Sequence, residues 1–331
     1  MKTSFAASMF KRLAKRAGVK VNIEPKYGFA KQVVSPNGAK RYFLASSSDL
    51  NTLGASEIAK DKDYAAYFLR LMGYPVLQGE AFFTSEWAKV LKTRRDPSVA
   101  YRYAKRLGFP LIVKPNSLSQ GNLVCKVHNR EEFFQAIGSI ARKDRVFLVQ
   151  RFAHGRDYRI VVLDGKVISA YERLPLSVTG DGRSTIGGLL KKKQREFRRA
   201  GRDTVIKPDD FRITNRLRHL GLSRQSILVR GEVIELLDNK NLSSGGDAVD
   251  VSEQIHPSYR LLCIKLAKDM NLRFCGVDLM VEDAIDYPAH NYRIIEINSA
   301  PGIDNYASIG HKQRQVVEQM YLEILKALAR K

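Results

Sequence analysis

The chain has 331 residues, with 56 lysines and arginines against 34 aspartates and glutamates, which gives a formal net charge of +22. Hydrophobic residues make up 44% and charged residues 27%, a composition that allows a packed core and argues against a disordered chain. No run approaches the roughly 18 apolar residues of a membrane span. The length fits one large multi-lobed enzyme or two to three small domains.

The first predicted element is a short N-terminal helix. Phe5, Met9 and Leu13 recur at every fourth residue, and Lys11 and Lys15 fall on another face. A basic amphipathic targeting or membrane-surface helix would show this pattern, and so would a first helix packed on the domain. Because the apolar stripe is short, we favour the packed helix.

The elements that follow mix helices with short strands. Apolar periodicity predicts helices over residues 61–72, 256–270 and 313–328. Strands are predicted over residues 111–114, 146–149, 158–163, 166–173, 273–281 and 292–297. Asp164-Gly165 separates two of these strands and is a strong hairpin signal. The pattern favours an α+β fold whose antiparallel sheets carry helices on one face.

A basic stretch over residues 191–202 holds much of the excess charge. Its cations are Lys191, Lys192, Lys193, Arg195, Arg198, Arg199 and Arg202. We favour a solvated helix face, with capture of an acidic substrate second. Nucleic acid comes last, since no RNA-binding aromatic signature or helix-turn-helix pattern accompanies the charge.

The cysteines Cys125, Cys263 and Cys275 are odd in number and scattered. They form neither a metal-type pair nor a disulfide framework, which suits a reducing compartment. We therefore expect a cytoplasmic protein without a membrane partner.

The sharpest cluster of chemically active residues is Asp278 with Glu296 and Asn298. Glu296 and Asn298 lie two apart on a predicted strand, so their side chains point to the same face. Asp278 interrupts an apolar run, where a carboxylate is costly unless it is paired or bound to a metal. Oxygen ligands without histidine or thiolate fit Mg²⁺. Three polar positions on a solvated sheet face would give the same pattern, and the residues alone leave both interpretations open.

Lys114 raises a similar question. It follows the apolar run 111–113, so its ammonium either extends to solvent or neutralises an anion. The loop over residues 116–122 offers hydroxyls and backbone N–H groups to phosphate oxygens. As a phosphate loop it is weak, because it has a single glycine and lacks the P-loop spacing.

Taken in order along the chain, these segments resemble the ATP-grasp module of cyanophycin synthetases and of bifunctional glutathione-forming enzymes. The matching segments are 58–63 (IAKDKD), 112–115 (IVKP), 155–159 (GRDYR), 178–182 (VTGDG), 241–246 (NLSSGG), 250–251 (DV), 256–257 (HP), 276–278 (GVD) and 295–302 (IEINSAPG). Such an ordered series, spanning about residues 51–305, is highly specific.

The resemblance implies an ATP-grasp fold, in which two α+β subdomains clamp ATP. A small N-terminal region would cover residues 1–57. A central lobe with the nucleotide lid would cover 58–153, and a C-terminal lobe with the metal site would cover 154–331.

The resemblance also implies which residues bind the nucleotide. Lys62 and Lys114 would hold the α- and β-phosphates, and Asp157 would bind the ribose hydroxyls. The other contacts would come from the loop after Lys114 and from a hinge that binds adenine through its backbone: Ser119, Gly121, Gln150, Arg151, Phe152 and Ala153. Gln150 stands where the family commonly has glutamate, although its carbonyl can still accept from the adenine amino group.

At the catalytic end, Arg173 would face the γ-phosphate. Arg159 would assist it, because Gly276 stands where the more distant D-alanine ligases place an arginine. Asn241, Ser244, Gly245 and Gly246 would line the phosphate and substrate side. The metal ligands for two Mg²⁺ ions, with Mn²⁺ as the alternative, would be Asp278, Glu296 and Asn298.

One feature of the predicted hairpin conflicts with these roles. A perfect register about Asp164-Gly165 places Arg173 opposite Arg156, on the other face from Asp157. We therefore expect a bulge or bend near Pro175.

The implied activity is ATP-dependent ligation of a carboxylate to an amine through an acyl phosphate, with release of ADP and phosphate. Amino acids or small peptides would be the substrates, and a mobile central lobe over about 75–149 would exclude water. Because the second ligase half of a cyanophycin synthetase is missing, we do not expect this chain to polymerise cyanophycin alone. A glutathione-synthetase-like ligase is the runner-up. A basic nucleic-acid-binding or scaffold protein on an inactive ATP-grasp fold is the alternative from another class, and a homo-oligomer is left open.

Overall fold

A computed structural model describes residues 4–202, 204–207 and 209–330. The helices in these ranges are α1 (Phe5–Leu13), α2 (Leu53–Lys60), α3 (Lys62–Leu71), α4 (Ser85–Val90), α5 (Pro97–Leu107), α6 (Arg130–Ala141), α7 (Ile186–Arg199), α8 (Phe211–His219), α9 (Pro257–Asp269), α10 (Asp304–Ala307) and α11 (His311–Ala329). A 3₁₀ turn spans Leu242–Ser244.

The strands are β1 (Lys20–Ile23), β2 (Ala30–Val34), β3 (Lys40–Leu44), β4 (Ser47–Ser48), β5 (Gly79–Phe83), β6 (Leu111–Pro115), β7 (Cys125–Val127), β8 (Val146–Arg151), β9 (Arg156–Leu163), β10 (Lys166–Leu174), β11 (Ser177–Thr179), β12 (Val233–Glu235), β13 (Asp247–Asp250), β14 (Phe274–Val281) and β15 (Tyr292–Asn298). They pair antiparallel in sheets of order β1-β2-β3-β4, β5-β8-β6-β7, β13-β10-β9-β14-β15 and β11-β12. The α+β prediction is confirmed, and each predicted helix and strand is present with ends shifted by a few residues.

The N-terminal sheet of β1 to β4 was not predicted from the sequence. Its strands are short, and lysine or arginine falls in three of them: KVNI, AKQVV and KRYFL. Such segments lack the clean apolar alternation that marks a half-buried strand. Pairing with neighbouring strands, rather than local pattern, therefore establishes this sheet.

Helix α1 packs on the body of the protein. Met9, Phe10 and Leu13 are buried, and the ring of Phe10 meets that of Tyr321 on α11 edge-on at a centroid distance of 5.7 Å. Ser4 caps the helix by accepting from the N–H of Ala7. The packed-helix interpretation is confirmed. Within the described ranges, no helix is long and apolar enough to cross a membrane.

The five-stranded sheet has a helical layer on each face, not on one face as the sequence pattern suggested. Ile160 and Val162 on β9 pack with α9, whereas Val161 between them packs with α11. A strand buried on both faces is a continuous apolar run, which explains the sequences of β9 and β14. In the central sheet, β5-β8-β6-β7, the core forms with α5 and α6.

The β9–β10 hairpin contains a bulge at Ile168. Val167 pairs with Val162, but Val161, the next residue of β9 in the ladder, pairs with Ser169 and not with Ile168. The register of β10 therefore shifts by one residue. Arg173 therefore lies opposite Asp157. A bulge was expected, but its predicted place near Pro175 is wrong. One extra residue early in β10 shifts the pairing of every later residue of that strand by one position. No further bulge near Pro175 is therefore needed to place Arg173 opposite Asp157.

Candidate active site

Two neighbouring rows of charged side chains cross the five-stranded sheet. In the first row, Arg159 on β9 pairs with Asp278 on β14, which pairs with Glu296 on β15. In the second row, Arg173 on β10 pairs with Asp157 on β9. Antiparallel pairing thus collects on one sheet face five charged residues that are up to 139 positions apart in the sequence.

The two rows are joined by ion pairs. Arg159 binds Asp278 with both ends of its guanidinium, Nε to Oδ1 at 2.6 Å and Nη2 to Oδ2 at 2.7 Å. Arg173 donates to Oδ1 of Asp157 at 2.9 and 2.6 Å and lies 3.0 Å from Oδ2 of Asp278. All four side chains are almost wholly buried. Pairs in which each guanidinium donates two bonds to a carboxylate fix the direction of both guanidinium groups and offset the desolvation of the charges.

Gly276 makes room for Arg159. A Cβ at position 276 would lie 3.0 Å from Cβ of Pro301 and 3.3 Å from Cδ of Arg159. A larger side chain would therefore displace the arginine stem. Because position 276 is a glycine, the side chain of Arg159 can occupy the space beside Asp278.

Glu296 and Asn298 complete the predicted metal trio. Nδ2 of Asn298 donates to Oε1 of Glu296 at 3.2 Å, so the amide oxygen remains as an acceptor. Burial alone would raise the pKa of Glu296, but Lys62, Lys114 and the two arginines hold it well below its usual range. The carboxylate is thus ionised at neutral pH.

The donor set of the trio fits Mg²⁺, which prefers carboxylate and amide oxygens. Both oxygens of Asp278 already accept bonds from arginine. A carboxylate offers about four lone-pair sites, so a metal held there would share the group with Arg159 and Arg173. Glu296 is more accessible, with 22% of its side chain exposed.

Lys114, near the end of β6, is a buried cation. It is 4% exposed and forms no ion pair within the described part of the chain. Burial lowers its pKa to about 8, a shift that Glu296 opposes and Lys62 reinforces. Because an unpaired buried charge is costly, this position indicates a site for an anionic ligand.

Lys62, the first residue of α3, lies beside the loop that follows β6. Its ammonium donates to the carbonyl of Asn116 at 3.0 Å and to that of Leu118 at 2.7 Å. The side chain of Asn116 in turn donates to Asp61 at 2.7 Å. These bonds fasten the start of the loop to α3.

The far end of the same loop is held by the C-terminal part of the chain. The carbonyl of Gly121 accepts from Arg212 and from Asn239, each at 2.9 Å. Gly121 has φ +67°, and a Cβ there would come within 2.8 Å of Nδ2 of Asn239 and 2.9 Å of Cβ of Asn241. Gly121 is the one glycine of this loop, and it lies where the backbone comes too close to Asn239 and Asn241 to leave room for a side chain.

The predicted hinge connects the central sheet to the five-stranded sheet. Its residues line a cavity of about 140 Å³ together with the apolar side chains Leu77, Ile112, Met280 and Ile295. Oε1 of Gln150 is buried there without a hydrogen-bond partner among the described residues. A donor on a bound ligand, such as the adenine amino group, would satisfy it.

Met280 and Ile295 were missed by the sequence reasoning. Met280 shares the face of Asp278 by strand alternation, a signal that was available. Ile295 faces the cavity because a bulge follows the Asp278–Glu296 pair, so that Leu279 pairs with Ile294. No local sequence signal marks this bulge.

Most of the predicted site residues come together at this cavity. Those that line it are Lys62, Lys114, Ser119, Gly121, Gln150, Arg151, Phe152, Ala153, Asp157, Arg173, Asn241, Asp278 and Glu296. An adjoining cavity of about 420 Å³ shares several of these and adds Arg159 and Asn298.

The predicted Ser244-Gly245-Gly246 turn lines neither of these cavities, and Ser244 instead lines a separate cavity of about 540 Å³. Ser244 donates from Oγ to the carbonyl of Gln120, in the loop, at 3.3 Å. Gly246 is packed so closely that a Cβ there would lie 2.4 Å from the carbonyl oxygen of Leu174. The two glycines therefore shape the turn, and Ser244 connects it to the loop.

The basic stretch divides into two groups. Its exposed cations are Lys191, Lys192, Arg195, Arg198 and Arg199. Lys193 and Arg202 turn inward to Asp247, and Arg202 also donates to the carbonyls of Leu242 at 3.1 Å and Gly246 at 2.7 Å. The first group forms a solvated helix face, whereas Arg202 supports the glycine turn, a role that the sequence did not reveal.

This chain is similar to several known proteins. Residues 68–178 match the family described as D-ala D-ala ligase C-terminus. The chain is 31% identical over 264 residues to cyanophycin synthetase from Trichormus variabilis, covering 78% of this chain and 28% of that protein. It is 32% identical over 200 residues to the glutathione biosynthesis bifunctional protein GshAB from Clostridium perfringens, covering 58% of this chain and 26% of that protein.

The chain thus spans less than a third of the length of these curated relatives. Among solved structures, a bifunctional glutathione synthetase from Pasteurella multocida superposes with a TM-score of 0.58 at 22% identity. The superposition covers 97% of this chain and 44% of that one. At this identity the likeness shows a shared fold.

Proposed function

We propose that this chain, which belongs to the ATP-grasp superfamily, is an ATP-dependent ligase that joins a carboxylate to an amine through an acyl phosphate. The observation that carries the proposal is Lys114, a buried cation that forms no direct ion pair among the described residues and lies near the ionised carboxylate of Glu296 and the apolar hinge cavity. Nucleotide phosphates would neutralise Lys114, and the oxygen donors around Glu296 would hold their magnesium.

The nucleotide would lie across the hinge. Adenine would occupy the slot between Ile112 and Met280, and its amino group would donate to the orphaned Oε1 of Gln150. Its phosphates would extend toward Lys114 and Lys62. Asp157 is engaged by Arg173 through one oxygen, so its other oxygen is the acceptor available to the ribose hydroxyls.

The metal ligands would be Asp278, Glu296 and Asn298, holding two Mg²⁺ ions that neutralise charge on the phosphates when bound. The protein's own contribution is the fixed direction of Arg159 and Arg173. Because carboxylates already orient both guanidinium groups, little reorganisation is needed as charge moves from the γ-phosphoryl group to ADP.

The second cavity is the proposed place of the carboxylate and amine. It adjoins the charged rows through Arg159 and Arg173 and extends to Ser46 and Ser47 on the N-terminal sheet. Its volume of about 420 Å³ suits amino acids or small peptides.

The reaction then has two steps. A substrate carboxylate oxygen attacks the γ-phosphorus, and the bond from that phosphorus to the β–γ bridging oxygen breaks, which releases ADP. The amine nitrogen attacks the acyl carbon, the carbon–oxygen bond to phosphate breaks, and the nitrogen loses a proton. Closure of the loop held by Lys62 and Arg212 would protect the acyl phosphate from water.

Two other functions remain candidates. A glutathione-synthetase-like ligase is favoured by the relative named for glutathione biosynthesis. A nucleic-acid-binding or scaffold protein on an inactive fold is favoured only by the net charge of +22. The intact trio and both lysines argue against the inactive fold.

The test is phosphate release with Mg²⁺ and ATP across a panel of amino acids, dipeptides and N-acylated amino acids, followed by mass spectrometry of products. We expect ADP and phosphate in step with amide. Hydroxylamine in place of the amine should give a hydroxamate, because it traps the acyl phosphate.

Stoichiometric AMP and pyrophosphate would overturn the mechanism even if amide formed. ADP release without any acceptor requirement would point to a bare ATPase or a phosphotransferase. Salt-sensitive binding of nucleic acid without ATP turnover would support the inactive-fold alternative.

A further inference from the structure

A second cluster of ionisable side chains lies outside the charged rows, where α6 meets α8. His128 immediately precedes the N-cap of α6, Glu132 is in its first turn, and His219 ends α8. Oε1 of Glu132 is 2.7 Å from Nε2 of His219, and Oε2 is 3.3 Å from Nδ1 of His128. The two imidazole rings lie 4.0 Å apart between centroids.

Local structure holds the carboxylate of Glu132 in place. Asn129 caps α6 by accepting from the N–H of Glu132, and Glu132 in turn accepts from the N–H of His128 at 2.9 Å. Its side chain is 2% exposed, whereas those of His128 and His219 are 30% and 29% exposed. The cluster therefore consists of one buried carboxylate, held in a fixed orientation, and two imidazole rings that solvent partly reaches.

We propose that His128, Glu132 and His219 form a binding site for Zn²⁺ or a similar divalent transition metal, with water as the fourth ligand. One ligand atom from each residue lies within 4.8 Å of the other two. Zinc bonds of about 2.0–2.2 Å in a tetrahedron separate ligand atoms by roughly 3.3–3.6 Å. The nitrogen–oxygen separations are 2.7 and 3.3 Å, and the chosen ligand atoms are at most 4.8 Å apart. Small side-chain rotations would therefore bring the three ligand atoms to the spacing that zinc requires.

The donor chemistry selects the ion. Two imidazoles and one carboxylate suit zinc and its neighbours, whereas Mg²⁺ and Ca²⁺ prefer oxygen donors only. The site thus differs from the oxygen-only trio of Asp278, Glu296 and Asn298. The partial exposure of both histidines provides an entry path and room for the water ligand.

A metal there would join α8 to the segment that directly follows the proposed nucleotide loop, which comprises residues 116–124 between β6 and β7. His128 and Glu132 belong to the central sheet and its helix, whereas His219 is at the end of α8. At the start of α8, Arg212 donates to the loop carbonyls of Gly121 at 2.9 Å and Val124 at 3.2 Å. The metal would therefore strengthen the hold of α8 on α6 and, through Arg212, the closed position of the loop.

Without a metal, the same residues form a hydrogen-bonded clamp from histidine to glutamate to histidine. The substitution His219→Gln separates the two cases. A glutamine amide can still donate to Glu132, but it is a weak ligand for zinc. The variant therefore retains a clamp and loses a metal site, whereas His219→Ala loses both.

The experiment uses the whole chain, freed of metal with a chelator that is then removed. Zn²⁺ is titrated against a chromophoric competitor in saturating Mg²⁺, which occupies oxygen-only sites. We expect wild type to bind one equivalent of Zn²⁺ more than either His219 variant, and zinc to raise the Tm of wild type but of neither His219 variant. His290→Gln is the matched control, because His290 is an exposed histidine whose ring is paired with Asp283.

Equal zinc stoichiometry in wild type and His219→Gln would overturn the proposal and leave the hydrogen-bonded clamp. If a His219 variant does not fold, His128→Gln provides the same comparison. The zinc site itself does not depend on the proposed ligase activity. Only the effect of the metal on the loop rests on the proposed function. That effect is measured separately: zinc should tighten ATP binding to wild type and not to His219→Gln.

Discussion

Two regions of this protein are rich in charge, and they use it in opposite ways. The charged rows of the five-stranded sheet hold Arg159, Arg173, Asp157 and Asp278 in buried ion pairs, of which Arg159–Asp278 is bidentate. On α7, the cations of the basic stretch from Lys191 to Arg199 mostly face solvent. The rows carry nearly balanced charge in little space, whereas α7 contributes strongly to the net charge of +22.

The difference teaches where charge can act on a reaction. In water, the field of an exposed lysine is screened within about 10 Å at ordinary ionic strength. In the buried rows each charge is fixed in direction and coupled to its neighbours, so removing one changes all the others. Net charge therefore says little about the site of chemistry here. The predictions below test that contrast.

The largest effect is expected from Asp278→Asn. The change removes the charge that Arg159 and Arg173 share and one proposed metal ligand. Turnover should fall by at least about 10²-fold, and the free energy of unfolding by about 3 kcal/mol. Steady-state ligase assays and urea denaturation measure the two effects. Asp164→Asn, in the partly exposed pair with Arg273, is the control and should change stability by less than about 1 kcal/mol. Near-normal turnover in Asp278→Asn would remove the rows from the mechanism.

Lys114→Met should weaken ATP binding by about 2–3 kcal/mol, or roughly 30- to 150-fold in Kd, because it loses a charge-assisted contact. The same change should stabilise the chain without ligand, since it removes a buried cation whose desolvation Glu296 offsets only in part. Calorimetric titration and thermal unfolding measure both, with exposed Lys166→Met as the control. A destabilised variant with unchanged ATP affinity would mean that Lys114 is only structural.

Lys114 also makes a pH dependence predictable. Burial lowers its pKa from 10.5 to about 8, so the unfolded chain binds this proton more tightly than the folded chain. Below about pH 8 both states are protonated and the burial penalty is fully present. Between about 8 and 10.5 the penalty is relieved, so the free energy of unfolding of wild type should rise relative to Lys114→Met. Denaturant unfolding of both proteins at pH 7.5, 9 and 10 tests the sign, and a constant difference would contradict it.

A smaller effect is expected from Arg212→Ala. The side chain donates to the carbonyls of Gly121 and Val124, so its loss should loosen the nucleotide loop and raise the KM for ATP about tenfold. Arg218→Ala on the exposed side of the same helix is the matched control. If both variants raise KM equally, α8 as a whole, not the loop contact, is responsible.

The smallest effect is expected from charge reversal of Lys191, Lys192 and Arg195 together. Because these side chains are exposed, KM and kcat should change by less than about twofold at physiological salt. A rise in KM at low salt that shrinks at high salt would show instead that the basic stretch recruits an acidic substrate. Measurements at several ionic strengths decide between the two.

The order of the residues was enough to predict most of the local elements and to propose the chemistry of the site. Short apolar runs predicted β9, β10, β14 and β15, and a helical period of apolar residues predicted α9 and α11, because a long, buried strand or helix shows its buried faces in the order of its residues. The residue pattern singled out Lys114, Asp278 and Glu296, the resemblance assigned roles to them, and the structure now describes their contacts. Their assigned roles remain predictions.

Only the tertiary structure decided register, partners and accessibility. The bulge at Ile168 places Arg173 opposite Asp157, and a second bulge turns Ile295 into the cavity. The meeting of His128 and Glu132 with His219, 87 residues beyond Glu132, likewise leaves no trace in the order of residues. A sequence pattern records which residues face the core and which face the solvent. It does not record which distant strand or helix supplies the neighbour, because that choice depends on the packing energy of the whole fold.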